Sequence, residues 1–154
     1  MVDVVTLAVR KRMMAGIKGC NTKPEMLIRK LLFANGYRFR LHCKNLPGKP
    51  DIVLPKYKAV IFTHGCFWHQ HNCHLFKWPA TRKDFWKSKI SENKTRDEIN
   101  ETRLIESGWR VLTVWECAIK GKRRLDIAEI ESLIQEWLLS IKKSNAILGK
   151  STNE

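Results

Sequence analysis

The sequence predicts a single α/β domain with a mixed sheet flanked by helices. Three observations carry this. Three strand signals lie close together between positions 37 and 63. A long helical stretch then separates the third from a fourth. Amphipathic helices open and close the series. Closely spaced strands pair as a meander, and a long helix returns the chain to the same sheet. At 154 residues there is enough chain for one core.

Thr22, Pro24 and Glu25 read as a helix start, with Thr22 as cap and Glu25 three residues later. Leu27, Ile28, Leu31 and Leu32 form its apolar stripe, and Gly36 stops it. Residues 37–41 alternate like a half-buried strand, and 46–50 form a Pro/Gly turn. A short strand over 51–54 turns back through 55–58 into the apolar run 59–63, which suits a sheet centre. Residues 65–80 make a polar loop dense in His, Cys and Trp. Thr81 and Asp84 open a helix to about Ser107, and 109–115 is a buried strand. Asp126 and Glu129 open the last helix, with Ile127, Ile130, Leu133, Ile134, Trp137, Leu138 and Ile141 on one face. The expected organisation is an N-terminal segment over 1–20, a domain over 21–141 and a frayed tail over 142–154.

Lys and Arg total 29 against 15 Asp and Glu, a net charge of +14, which points to a polyanionic partner. No stretch approaches the ~20 apolar residues of a membrane span. Arg10, Lys11 and Arg12 follow the N-terminal apolar patch, the reverse of a secretory signal, so a cytoplasmic protein is expected. The odd count of five cysteines then favours thiols or metal over disulfides.

Three constellations carry chemistry. His64, His69, His71 and His74 fall within eleven residues that also hold Cys66 and Cys73, and Cys117 follows the fourth strand. Thiolate and imidazole are the ligands of structural zinc, and a distant fourth ligand would pin a loop that has no regular structure. Spacing alone does not choose the histidine. The bland alternative is a buried apolar Cys117 with surface histidines. Asp51 at a strand start, with Glu25 in the first helical turn, can hold Mg²⁺ against a phosphate, yet each equally suits a turn or a helix cap. Phe67 and Trp68, with Trp78 and Trp86 nearby and Lys77, Arg82, Lys83, Lys87 and Lys89 around them, suit stacking on bases or insertion into a duplex. The alternative is a satellite core over the loop. Trp78 is expected to pack, and Trp109, Trp115 and Trp137 to be core. Lys11, Arg12, Lys18, Lys44, Lys49, Lys94, Arg96 and the basic run 120–124 could each meet phosphate.

Several segments resemble the very-short-patch repair endonucleases. They are Pro47-Gly48-Lys49-Pro50-Asp51, Phe62-Thr63-His64-Gly65-Cys66-Phe67-Trp68-His69, Pro79-Ala80-Thr81-Arg82, Phe85-Trp86, Gly108-Trp109-Arg110-Val111 and Val114-Trp115-Glu116-Cys117. The likeness runs from about Lys11 to Trp137. It implies a restriction-endonuclease-like fold and a nick 5′ of the mispaired T in T·G mismatches left by 5-methylcytosine deamination. It also implies roles. Asp51 resembles the carboxylate bridging two catalytic Mg²⁺ ions, and Thr63 a backbone carbonyl ligand. His69 resembles the general base, His64 a helper at the phosphate and Glu25 a supporting acid. Cys66, His71, Cys73 and Cys117 resemble the ligands of one structural zinc. Phe67, Trp68 and Trp86 resemble a duplex-opening wedge, and the segment around Met14 and Ile17 a minor-groove clasp. Lys89 joins the expected DNA contacts. The implied partners are mismatched duplex DNA, a cytosine-5 DNA methyltransferase acting on the same targets and mismatch-repair proteins. A monomer near the bacterial nucleoid is expected. Gln70 and Asn72 interrupt the histidine run the family carries over 69–72, which leaves His69 and His71 in place and makes His74 a rival zinc ligand.

Overall fold

The computed structural model describes residues 21–151. The expected clasp residues Met14 and Ile17, with Lys11, Arg12 and Lys18, lie outside the described residues. Helix α1 (Lys23–Ala34) starts as its sequence dictates, with Thr22 Oγ1 accepting the Glu25 N–H at 3.4 Å. Its stripe of Ile28, Leu31 and Leu32 is buried. Strand β1 (Arg40–Leu41) pairs antiparallel with β2 (Ile52–Leu54), and β2 pairs antiparallel with β3 (Ala59–His64). Helix α2 (Lys83–Glu106) then crosses back, so that β4 (Arg110–Trp115) lies parallel to β3. After the short α3 (Glu116–Ile119), helix α4 (Ile127–Leu138) begins on the expected capping box of Asp126 and Glu129.

The sheet order is β1-β2-β3-β4-β5, with β3 at the centre. Alternation along the strands sorts the core into two layers. Ile52, Leu54, Ala59, Ile61, Leu112 and Val114 join α1 and α4 on one face. Val53, Val60, Phe62 and Val111 meet Leu104 of α2 on the other.

Three expectations are corrected. Residues 142–154 are not simply a frayed tail, because Ser144–Ile147 forms β5, parallel to β4. Its Ser, Asn and Ala have poor strand propensity, and only Ile147 is buried, so the open edge of β4 rather than local preference makes the strand. The strand expected over 37–41 shrinks to two residues, with Tyr37 and Phe39 packing against the core from outside the ladder. Helix α2 opens at Lys83 behind Arg82, which holds a left-handed backbone (φ 52°) and makes no side-chain cap bond.

Candidate active site and metal centre

The ends of β2 and β3 bring Asp51 and Thr63 together. The turn before Asp51 is set by Gly48 (φ +76°), where a Cβ would meet Asn100 and Phe62 at 3.1 and 3.2 Å; only glycine lets this turn seat against α2. Asp51 Oδ2 accepts the Thr63 N–H at 2.8 Å and is 3.3 Å from its hydroxyl. Burial pushes the Asp51 carboxyl up, against the Thr63 bond, and the charge of Glu25 adds to the rise.

Two clefts flank this point, of about 560 and 550 Å³. The residues they share are Asp51, Thr63, His64 and His69. These came from a strand end, a strand and a loop, and the structure places them on one wall between two openings. His64 and His69 stack face to face, ring centroids 3.8 Å apart and planes 4° apart. His69 Nδ1 is hydrogen-bonded to Asp97 Oδ2. That carboxylate fixes the tautomer with the proton on Nδ1 and leaves Nε2 as an acceptor. His64 is pushed down to about 3, mainly by burial and then by the His69 charge, with Asp97 opposing. It is therefore neutral near pH 7.

Glu25, 1% exposed, is held by donors. Arg29 Nη2 donates to Oε1 at 2.9 Å, His42 Nε2 bonds the same oxygen, and the Asn21 N–H bonds Oε2. Burial works against its ionisation, but the bonds from Arg29 and His42 outweigh it and hold the carboxyl below its ordinary range. Glu25 thus does more than cap α1. Sequence reasoning missed Asp97, Arg29 and His42. The signal for Asp97 was a polar stripe at helical spacing. Asn93 donates to the Trp68 carbonyl at 3.1 Å, Asp97 holds His69, Asn100 and Glu101 line the larger cleft, and Leu104 enters the core. Arg29 was visible as the i+4 partner of Glu25.

The metal-ligand candidates also converge. Donor atoms of Cys66, His71, Cys73 and Cys117 all lie within 4.8 Å of one another. Cys66 Sγ and Cys117 Sγ are 3.5 and 3.6 Å from His71 Nδ1. Tetrahedral zinc with Zn–S and Zn–N bonds of about 2.3 and 2.0 Å separates neighbouring S and N donors by roughly 3.5 Å, so the set fits. The Leu75 N–H points at Cys73 Sγ (3.4 Å) and the Gly149 N–H at Cys117 Sγ (3.3 Å), bonds that stabilise thiolate. The Cys117 thiol is lowered, first by its bond from Cys66 and further by Gly149 and His71. His74 lies outside this group, against Gly121, with both ring nitrogens buried and unbonded.

Trp115, expected in the core, instead links the two centres. It stacks on His71 (4.2 Å, 11°) and meets His64 edge-on (5.3 Å, 73°). The register that pairs His64 with Trp115 causes this, since Cys66 and Cys117 each follow two residues later. Trp109 is only partly buried, under the Lys58 ammonium (5.0 Å), while Trp137 is core. Phe67, Trp68 and Trp86 form one half-buried cluster, with ring centroids 5.2 to 5.8 Å apart. Trp78 packs edge-on against Phe76 and remains 40% exposed. Lys89 is exposed on α2.

Among solved structures, the chain is similar to a homing endonuclease catalytic domain, at 20% identity and a TM-score of 0.51, over 78% of this chain and all of that one. The mixed five-stranded sheet with its flanking helices is a restriction-endonuclease-like fold. Residues 2–75 match the family model described as DNA mismatch endonuclease Vsr. The DNA mismatch endonuclease Vsr of Escherichia coli (strain K12) is 46% identical over 138 residues, 90% of this chain and 88% of that protein. The type II nicking enzyme V.XorIIP of Xanthomonas oryzae pv. oryzae is 42% identical, over 90% and 98% of the two chains. The chain belongs to the Vsr family of DNA mismatch endonucleases.

Proposed function

We propose that this protein is a strand-specific endonuclease that nicks duplex DNA 5′ of the mispaired T in T·G mismatches. Such mismatches arise by deamination of 5-methylcytosine, and the nick starts very-short-patch repair. The observation that carries the reading is the convergence of both clefts on Asp51, Thr63, His64 and His69. Each cleft is large enough to seat a phosphate with its attacking water.

The larger cleft is acidic inside a strongly basic chain. Asp97, Glu98 and Glu101 line it with Asp51 and outnumber its Lys49 and Lys94, against a net charge of +14. Basic surface attracts the duplex, but carboxylates repel the phosphate itself, and a divalent cation resolves that conflict. Asp51 and the Thr63 carbonyl would hold Mg²⁺, which when bound neutralises charge on the phosphate and leaving oxygen. His69, its Nδ1 held by Asp97, accepts the proton of the attacking water at Nε2. Neutral His64, stacked on it, keeps the ring in place without adding a second positive charge. Cys66, His71, Cys73 and Cys117 would hold one structural Zn²⁺ that pins the loop carrying Phe67, Trp68 and His69. The Phe67, Trp68 and Trp86 cluster opens the duplex beside the mismatch. A T·G pair costs less to open than a correct pair, which favours the damaged site.

Lys89 and the 1–20 segment with Met14 and Ile17 add DNA contacts. The protein acts as a monomer, since one asymmetric mismatch needs one copy. It works in the bacterial cytoplasm alongside a cytosine-5 DNA methyltransferase and mismatch-repair proteins. Among the described residues, no helix is long and apolar enough to cross a membrane. Nicking of otherwise identical T·G, T·A and C·G duplexes tests the reading. The T strand of the T·G duplex should be cut in preference, and equal cleavage of all three would reject mismatch specificity.

A further inference from the structure

Four of the five histidines fall between positions 64 and 74; His42 is the fifth. It touches both members of the carboxylate pair. Its N–H donates to the Asp51 carbonyl at 3.2 Å, and its ring bonds Glu25 Oε1. Its backbone is left-handed (φ 47°), an unfavourable conformation for a residue with a Cβ, and it persists directly after β1. The side chain is 30% exposed, so apolar burial does not explain the placement. The Arg29 Nη2 atom lies 3.1 Å from the same ring nitrogen. Ligand-capable atoms of Glu25, His42 and Asp51 all lie within 4.8 Å of one another.

We propose that His42 is a positioning residue that fixes Glu25 beside Asp51 and so strengthens divalent-cation binding there. The inference rests on the reading of Asp51 as the cation-holding carboxylate. Two like charges this close repel, and an untethered Glu25 would swing away from Asp51. Arg29 alone does not prevent this, because it rises from the same helix one turn on and moves with Glu25. His42 anchors Glu25 from a different element, tied through its own backbone to Asp51. Both oxygens of Glu25 are already engaged by Arg29, His42 and Asn21, so it contributes charge at short range rather than a direct ligand.

Mn²⁺ binding to the full chain, followed by electron paramagnetic resonance, is the test, with melting temperature and zinc content measured on each variant. In His42→Asn the side chain tolerates a left-handed backbone but ends short of Glu25. It should weaken Mn²⁺ binding on the order of tenfold, the scale of one lost hydrogen bond to a charged group. The Mg²⁺ concentration for half-maximal nicking should rise by the same factor, with turnover at saturating Mg²⁺ retained. His42→Gln, which reaches Glu25 with an N–H donor, should restore binding. Should the Asn variant melt early, His42→Gly, free of left-handed strain, decides instead. Unchanged Mn²⁺ affinity in the ring-deleted variant, beside a loss in Asp51→Ala, overturns the positioning role and leaves the catalytic reading standing. Unchanged affinity in Asp51→Ala overturns the cation site itself.

Discussion

His69 and His64 differ in their surroundings, which is what sets their proposed roles apart. His69 has a carboxylate partner on one nitrogen, whereas His64 is half-buried against the rings of Phe62, Trp115 and His69. Replacing His69 by Ala should slow single-turnover nicking by on the order of 10²–10⁴, the usual worth of a general base, with duplex binding kept. Asp97→Asn should fall in the same direction by a smaller factor, because the base remains but its tautomer is no longer fixed. Turnover that is normal in both variants would move the base elsewhere. For stability, the His64 shift sets a sign. Its folded value, about 3, lies below the unfolded value near ~6.5, so the unfolded chain binds the proton first. Stability is therefore lost as pH falls from about 6.5 toward 3. Melting temperatures across this range should drop less steeply for His64→Gln than for the unaltered protein, and equal slopes would contradict the burial argument.

At the scale of elements, Arg110 joins β4 to α4. Its guanidinium donates to the Leu138 carbonyl at 3.2 Å and to the Trp137 carbonyl, and lies 4.4 Å from the Trp137 ring centroid. Nε donates to the Lys142 carbonyl at 3.1 Å, at the entry to β5. Arg110→Met keeps apolar bulk but strands several carbonyls, and should cost about 2–4 kcal/mol in chemical denaturation. A loss under ~0.5 kcal/mol would show that these carbonyls find water instead. The same scale shows why some elements were legible and others were not. Helices α1 and α4 carried their caps and stripes in local sequence, and β3 its apolar run. Strand β5 exists because β4 offers an edge, and β1 is cut short where His42 turns left-handed, so both depend on partners. The site divides likewise. Asp51, Thr63, His64 and His69 were named from motif and resemblance, whereas Asp97 and His42 come from elements distant in sequence. Trp115 reads as an apolar strand residue and becomes a bridge between two centres only through strand register.

Across the whole molecule, the proposed zinc-ligand group and the proposed nuclease site form one structural unit. Cys66 and His71 flank the segment bearing Phe67, Trp68 and His69, and Trp115 contacts His71 of the proposed metal centre and His64 of the proposed active site together. Elemental analysis should find one equivalent of zinc per chain. Its removal by a chelator should abolish nicking even when Mg²⁺ is restored, because the loop loses its pin; full Mg²⁺-dependent activity in zinc-free protein would contradict that. Duplex affinity should fall steeply with salt, as the net charge of +14 requires. The claim on which the account depends is that the wall shared by the two clefts is where phosphate is hydrolysed. Single-turnover nicking of a T·G duplex by Asp51→Ala, with binding measured alongside, tests it most directly. The account predicts retained binding with nicking lost, and undiminished Mg²⁺-dependent nicking by that variant would contradict it.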